Sequence, residues 1–240
     1  LKSGDATLTA YYNKLLEDAN LLLKKKPVSV MTKKQMPPSG DMHDYMSIAI
    51  YYWPDTSKPN GLPYIRKDGQ INPEVKDYSD KTNMSDLVRN VELLSLAYYF
   101  SEDEAYAAKA SEYLRVWFIN EDTRMNPNLE YAQAVKGKND GRGIGIIESR
   151  ILTGVVDAAG LISGSKSWSG KDQQALQAWF IDFLKWLVNS KNGIEESQAK
   201  NNHGIWYDEQ KLCFALFTSN KDIALATLNS IKRRIEAQMD

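Results

Sequence analysis

A single cysteine, Cys213, is all the thiol that this 240-residue sequence holds. One thiol excludes an intramolecular disulfide and any multi-cysteine metal site. Histidine is nearly as scarce, with only His43 and His203. A histidine-rich metal centre or a relay of imidazoles is thereby excluded, and the expectation is chemistry without a metal or cofactor. An excess of one charge is also lacking: 30 Lys and Arg stand against 31 Asp and Glu, a net charge of -1. That removes the electrostatic case for a nucleic-acid or anionic-membrane partner. No apolar run approaches the ~20 residues that span a bilayer. The sequence opens on Leu1 with no basic-then-apolar leader. That start fits a mature chain or a trimmed one equally.

What remains has globular proportions, 42% hydrophobic and 25% charged, which argues against disorder. At ~150 residues per domain the length gives one domain or two small ones. Aromatics are plentiful, with 13 Tyr, 6 Trp and 6 Phe. Their flat faces and polar edges serve both cores and sugar stacking. For any single ring, the core is the better expectation.

The dominant pattern is helical periodicity. Leu8, Tyr12, Leu15, Leu16, Ala19, Leu22 and Leu23 form one stripe, and Pro27 lies beyond its end. Met84, Leu87, Val88, Val91, Leu94 and Tyr98 form a second. Ser101 with Glu104 reads as a capping box for a helix carrying Tyr106, Ala110, Tyr113, Leu114 and Trp117. Ile147, Ile151, Val155, Ala158 and Leu161 follow; Ser169 with Asp172 opens the next helix, through Leu187. Trp206, Gln210, Cys213, Phe214 and Phe217 precede a last helix opened by Ser219 and Asp222. No run of alternating strand residues stands out. Short links at 99–103 and 218–221 imply helical hairpins. The sequence predicts an all-α chain of stacked hairpins, and the lack of a fixed period favours an α/α toroid over a short-repeat solenoid.

Two long segments interrupt the helices. Residues 51–82 hold Pro54, Pro59, Gly61, Pro63, Gly69 and Pro73 among Tyr51, Tyr52, Trp53 and Tyr64. Residues 120–145 hold Asn126-Pro127, Gly137, Gly141, Gly143 and Gly145. Long loops in compact domains often carry function. The first is expected to be an ordered cover over a groove, with a surface loop packed by its own rings as the plain alternative.

The most informative stretch is Asn201-Asn202-His203-Gly204-Ile205-Trp206-Tyr207, at the start of a helix. Unpaired N–H groups and a partial positive charge there attract an anion. An Asn can donate to a carboxylate, and a His held neutral by that potential can accept a proton. β-Elimination from a uronic acid needs both, because the departing proton lies next to the carboxylate and leaves enolate-like charge behind. On spacing alone, an Asn cap beside a hydrogen-bonded His explains the stretch as well. His43 has Asp41 and Asp44 as neighbours that would orient it. Gly141-Arg142-Gly143-Ile144-Gly145 is not a dinucleotide loop, because Glu148 occupies the place of the third glycine and no strand is evident before it. Arg142 is available there for an acidic sugar or for a structural ion pair.

Several stretches together resemble one family. Lys200-Asn201-Asn202-His203-Gly204-Ile205-Trp206-Tyr207 is similar to the Asn-Asn-His-x-x-Trp motif of α/α-toroid alginate lyases. His43-Asp44-Tyr45 through Tyr51-Tyr52-Trp53-Pro54-Asp55, the segment Gly61 to Gly69 with Asn72-Pro73-Glu74, and Gly141 to Gly145 resemble the wider superfamily, which includes glucuronan lyases. The resemblance implies a metal-independent lyase acting on alginate or a related polyuronate, with 1–240 as one toroid domain. Asn202 and His203 would be catalytic, Asn202 neutralising the carboxylate and His203 joining it or acting as base. Gln133, His43, Tyr45, Tyr52, Trp53, Arg142 and Trp206 would bind substrate, with the loop around Tyr51–Trp53 as a mobile lid. It further implies a bacterial periplasmic or secreted protein. The family's essential Arg and Tyr follow on a later helix, whereas this sequence stops at Asp240 and its stripes are too few to close a ring. The expectation is an incomplete toroid with weak or no turnover; Tyr45, Tyr131 or Tyr207 could approach the site but are not expected to take over the missing role. Two rivals remain: a glycoside hydrolase using Glu130 and Glu148 as its carboxylate pair, and a non-catalytic protein that binds acidic polysaccharide.

Overall fold

A computed structural model describes residues 5–238. The readings that rest on Leu1 and on the ending at Asp240 lie outside the described residues. In chain order the elements are α1 (Ala6–Leu23), β1 (Met46–Ile48), β2 (Tyr52–Trp53), β3 (Ile65–Arg66), α2 (Asp80–Ser101), α3 (Glu104–Leu114), β4 (Tyr131–Ala134), α4 (Thr153–Leu161), α5 (Gly170–Asn189), α6 (Lys191–Ser197), α7 (Asn202–Phe217) and α8 (Lys221–Gln238). A π-helical turn, Arg115–Ile119, extends α3, and a 3-10 helix, Gly143–Leu152, leads into α4. The all-α expectation holds. The four strands are too short to show alternation, which is why no sequence pattern marks them.

The apolar stripes bury against one another in a row. α1 packs on α2 and α3, α2 on α3 and α4, α4 on α7, and α7 on α5, α6 and α8. Phe118, Trp179, Phe180, Phe183 and Phe214 make one aromatic cluster across the π-turn, α5 and α7. Cys213 is half-buried, and burial together with the charges of Glu209 and Asp157 pushes its thiol up to about 12. It is therefore an inert thiol.

Helix starts follow capping chemistry, with two corrections. Ser169 and Asp172 form the expected capping box of α5. Ser101, however, is the last residue of α2, its hydroxyl bonded to the Ala97 carbonyl, and Asp103 caps α3. Likewise Asn220 rather than Ser219 receives the Ile223 amide at the start of α8. In both cases a longer acceptor lies nearer the first turn than the predicted serine.

The long segments position the site. Within 51–82, Tyr52 pairs with Arg66 and Trp53 with Ile65 in an antiparallel ladder. Trp53 Nε1 donates to the Gln70 carbonyl at 2.9 Å and the Tyr64 hydroxyl to Glu74 at 2.6 Å. Lys136, from the other long segment, pairs with Glu74. Within 120–145, β4 runs parallel to β1, with Met46 opposite Tyr131 and Ile48 opposite Ala134. This pairing brings Gln133 beside the residues that follow Tyr45.

Candidate active site

Gln133 lies on β4 at φ 51, in the left-handed region that a residue with a Cβ adopts at a cost. It is 8% exposed. Its N–H donates to Ser47 Oγ at 2.8 Å, and Ser47 donates in turn to Glu148 Oε2 at 2.6 Å. Those bonds hold the strained peptide. Its carbonyl and side-chain oxygens both accept from Arg142, each at 3.0 Å. The Arg142 guanidinium also lies 5.1 Å from the centre of the Tyr52 ring. Burial lowers the Arg142 pKa while Tyr52 opposes the shift; an arginine stays cationic throughout.

The glycines on either side of Arg142 explain its placement. A Cβ on Gly141 would strike the Glu130 carbonyl oxygen, and one on Gly145 would strike Ala132. A Cβ on Gly143 would meet Asn192 and Glu195 of α6. The segment thus lies flush between β4 and α6, and Arg142 is the side chain it presents. Contrary to the sequence reading, a short strand does precede these glycines, but their spacing serves backbone packing.

At the start of α7, Asn201 is the cap, its side chain accepting the His203 amide at 3.1 Å. Asn202 occupies the first helical position and is exposed. Its amide makes no hydrogen bond to any described residue. The capping reading of the stretch is realised by Asn201, and Asn202 is left facing solvent. His203 Nδ1 lies 2.7 Å from Glu196 Oε1 of α6. Glu196 is 4% exposed, and burial raises its carboxyl above the ordinary range against the pull of His203. With Glu196 ionised, Nδ1 is the donor and Nε2 is left as an acceptor. Arg142 acts on Glu196 as a nearby positive charge. β4, the glycine segment, α6 and α7 therefore meet in one electrostatic site.

Glu196 carries no sequence signal, since α6 has no apolar stripe and nothing in the chain shows that it lies beside the start of α7. Trp206, one turn past His203, is 39% exposed and has Arg150 over its ring at 5.4 Å. Trp53 stands in the same ladder as Tyr52, with Lys67 over its ring at 5.3 Å.

One expected substrate ligand, Tyr45, is sealed in the core, and His43 is held by a partner other than the expected ones. Tyr45 is fully buried, and its hydroxyl donates to Glu148 at 2.8 Å. Burial and the Glu148 charge raise its pKa well above the ordinary value. It supports Gln133 from below through the shared carboxylate and does not face a ligand. His43 is oriented by neither Asp41 nor Asp44. Its Nδ1 donates to the Arg124 carbonyl at 2.6 Å, while Asp41 takes its backbone N–H. The pair Glu130 and Glu148 is likewise separated in role. Glu148 is sealed by Tyr45, Ser47 and Lys81, whereas Glu130 is exposed and accepts from Trp186.

The family described as alginate lyase matches residues 29–240. Among solved structures, the crystal structure of an alginate lyase from Bacteroides ovatus is 45% identical, with a TM-score of 0.89. The match covers 93% of this chain and 59% of that one. No curated protein matches.

Proposed function

This chain belongs to the alginate lyase family, and from that membership we propose that it cleaves alginate by metal-independent β-elimination. One observation carries the reading: a histidine held by a buried carboxylate stands next to a free amide at a helix start, with a cation nearby that has no carboxylate partner. Asn202 and Arg142 balance the uronate carboxylate. His203 Nε2 takes the neighbouring C–H proton, or joins the neutralisation, according to the epimer bound. The C–H electron pair becomes the new double bond, the glycosidic C–O bond breaks, and the leaving oxygen takes up a proton from water. Neither Tyr45, which is buried, nor Tyr207, whose hydroxyl is bound to the Leu187 carbonyl at 3.0 Å, supplies it.

The sealed state of Glu148 weighs against a hydrolase built on Glu130 and Glu148. The row of hairpins is, on this proposal, part of an α/α toroid. A periplasmic or secreted location follows from the substrate, because an anionic polymer does not cross an apolar membrane unaided. No described helix is long and apolar enough to cross a membrane.

The test is incubation with alginate and polyglucuronate while following the ultraviolet absorbance of the unsaturated sugar end. His203→Ala is expected to abolish it while the protein stays folded, with a lowered melting temperature because buried Glu196 loses its partner; turnover by that variant rejects the catalytic role. Asn202→Ala is expected to raise the barrier by about 2–4 kcal/mol, as lost oxyanion donors do. A loss of melting temperature alone would make Asn202 structural. A chelator is expected to leave turnover intact.

A further inference from the structure

Glu148 is a buried carboxylate that the proposed reaction does not use. It is 4% exposed. Its Oε2 accepts from the Tyr45 hydroxyl at 2.8 Å and from Ser47 at 2.6 Å, and Lys81 Nζ lies 3.1 Å from Oε1. A charge withdrawn from water is costly, and a side chain that merely filled this space would be apolar. What the carboxylate does is set the direction of a hydrogen-bond chain. Ser47 has one hydroxyl proton, and a carboxylate only accepts. The proton therefore goes to Glu148, and a Ser47 lone pair is left for the Gln133 N–H, 2.8 Å away.

That N–H belongs to an irregularity in the β1–β4 ladder. Between the pairs Met46–Tyr131 and Ile48–Ala134, Ser47 alone on β1 faces two residues of β4, Ala132 and Gln133. Such a bulge re-aims the groups it carries. Here its acceptors converge on one residue. The Ala132 carbonyl takes the Arg142 backbone N–H at 3.2 Å. The Gln133 carbonyl takes the Arg142 Nε–H, and Gln133 Oε1 takes an Nη2–H, each at 3.0 Å. A glycine would adopt φ 51 without strain but would offer no Oε1. We propose that Glu148 is a positioning residue for Arg142: through Ser47 and the bulge at Gln133 it fixes the direction in which the guanidinium meets the uronate carboxylate.

The proposal rests on the reading of the substrate as a polyuronate, and arginine signals separate the two. The Nε–H groups of Arg142, Arg115 and Arg234 have different acceptors: the Gln133 carbonyl, Asp172 and Asp208. All three are followed by heteronuclear NMR, with Arg142 assigned through Arg142→Lys, alongside melting curves and alginate turnover. Ser47→Ala and Glu148→Ala are expected to shift the Arg142 Nε–H and to speed its exchange with water, with Arg115 and Arg234 in place. The same variants are expected to lower kcat by about 10²-fold, the scale of a small misplacement of a reacting group. Glu148→Gln keeps an acceptor at the position and is expected to recover most of both readouts. Should Glu148→Ala fail to fold, Ser47→Ala decides. An Arg142 signal unmoved in Ser47→Ala overturns the proposal. So does a loss of protection at all three arginines with a lower melting temperature, which would make the network general support. A shifted Arg142 with wild-type kcat overturns it as well. A wild type that turns over no polyuronate removes the substrate reading, while a selective Arg142 shift still upholds the anchor.

Discussion

A histidine next to asparagines is a common sight, and what sets His203 apart is the carboxylate behind it. Glu196 fixes the ring by one 2.7 Å contact while remaining buried. Its loss would free the ring to rotate without removing Nε2, the nitrogen proposed to react. If His203 is the base proposed above, Glu196→Ala is therefore expected to lower kcat by up to about 10⁴-fold with little change in KM, by the logic of a buried carboxylate orienting an imidazole. Steady-state kinetics with a melting curve checks it; a lower melting temperature at unchanged kcat would make Glu196 structural. A second buried pair tests the same physics away from the site. Lys33 Nζ and Asp80 Oδ2 lie 3.1 Å apart with both side chains sealed from solvent. Burial raises the Asp80 pKa to about 6 despite Lys33 and the Met46 amide. Lys33→Met leaves that carboxylate uncompensated, at a cost of about 3–5 kcal/mol. A carboxyl raised in the folded state takes up protons on folding, so acidification through about 6 favours the fold at this position. Without Lys33 the carboxyl is raised further still, so the penalty of Lys33→Met is expected to shrink as the pH falls toward about 6, read by urea denaturation at neutral pH and near 6.

The elements show what the amino-acid sequence makes legible. Long amphipathic stripes announce α1, α2, α5, α7 and α8, because a face that must be buried repeats over several turns. The Ser169 and Asp172 box announces the start of α5 because both halves of the motif are local. α6, with seven residues and no stripe, and strands of two to four residues leave no periodic trace. Asn202 and His203 are visible as a motif, whereas the partner Glu196 depends on how α6 meets α7. Tyr45 misleads because an aromatic in a motif reads alike whether it faces a ligand or supports one from beneath. The α5 start also shows local and distant bonds combined. Asp172 closes the capping box and accepts a two-pronged bond from Arg115, whose hydrogen bonds lead in holding its pKa well below the ordinary carboxylate range. With Arg115 partly exposed, the bridge is screened. Asp172→Ala is expected to cost about 2 kcal/mol in all. A depressed folded pKa means that this contribution is complete above the ordinary carboxylate value and is lost as the pH falls through the folded one. Stability curves for wild type and variant should therefore converge in strong acid.

At the scale of the molecule, the helix row holds the site together through one continuous core rather than through the site's own contacts. Gln133, Arg142, Glu196 and His203 stand on four separate segments. Their mutual geometry is fixed only while β4, the 3-10 helix, α6 and α7 stay packed. Behind α7 stands Phe180 of α5, which touches Phe118 of the π-turn and both Phe214 and Phe217 of α7. It is fully buried. Truncation there removes contacts to two neighbouring segments at once, and the surrounding rings cannot all close the space. Phe180→Ala is expected to destabilise the fold by about 3–5 kcal/mol. Because that cluster ties α5 and the π-turn to α7, which carries His203, secondary structure and aromatic packing should be lost in a single transition, shifted to lower temperature. Far- and near-ultraviolet circular dichroism melts of the variant check this. Near-ultraviolet signal lost well before the helices would show that the two halves of the row hold independently, and that the site's geometry rests on its local bonds alone.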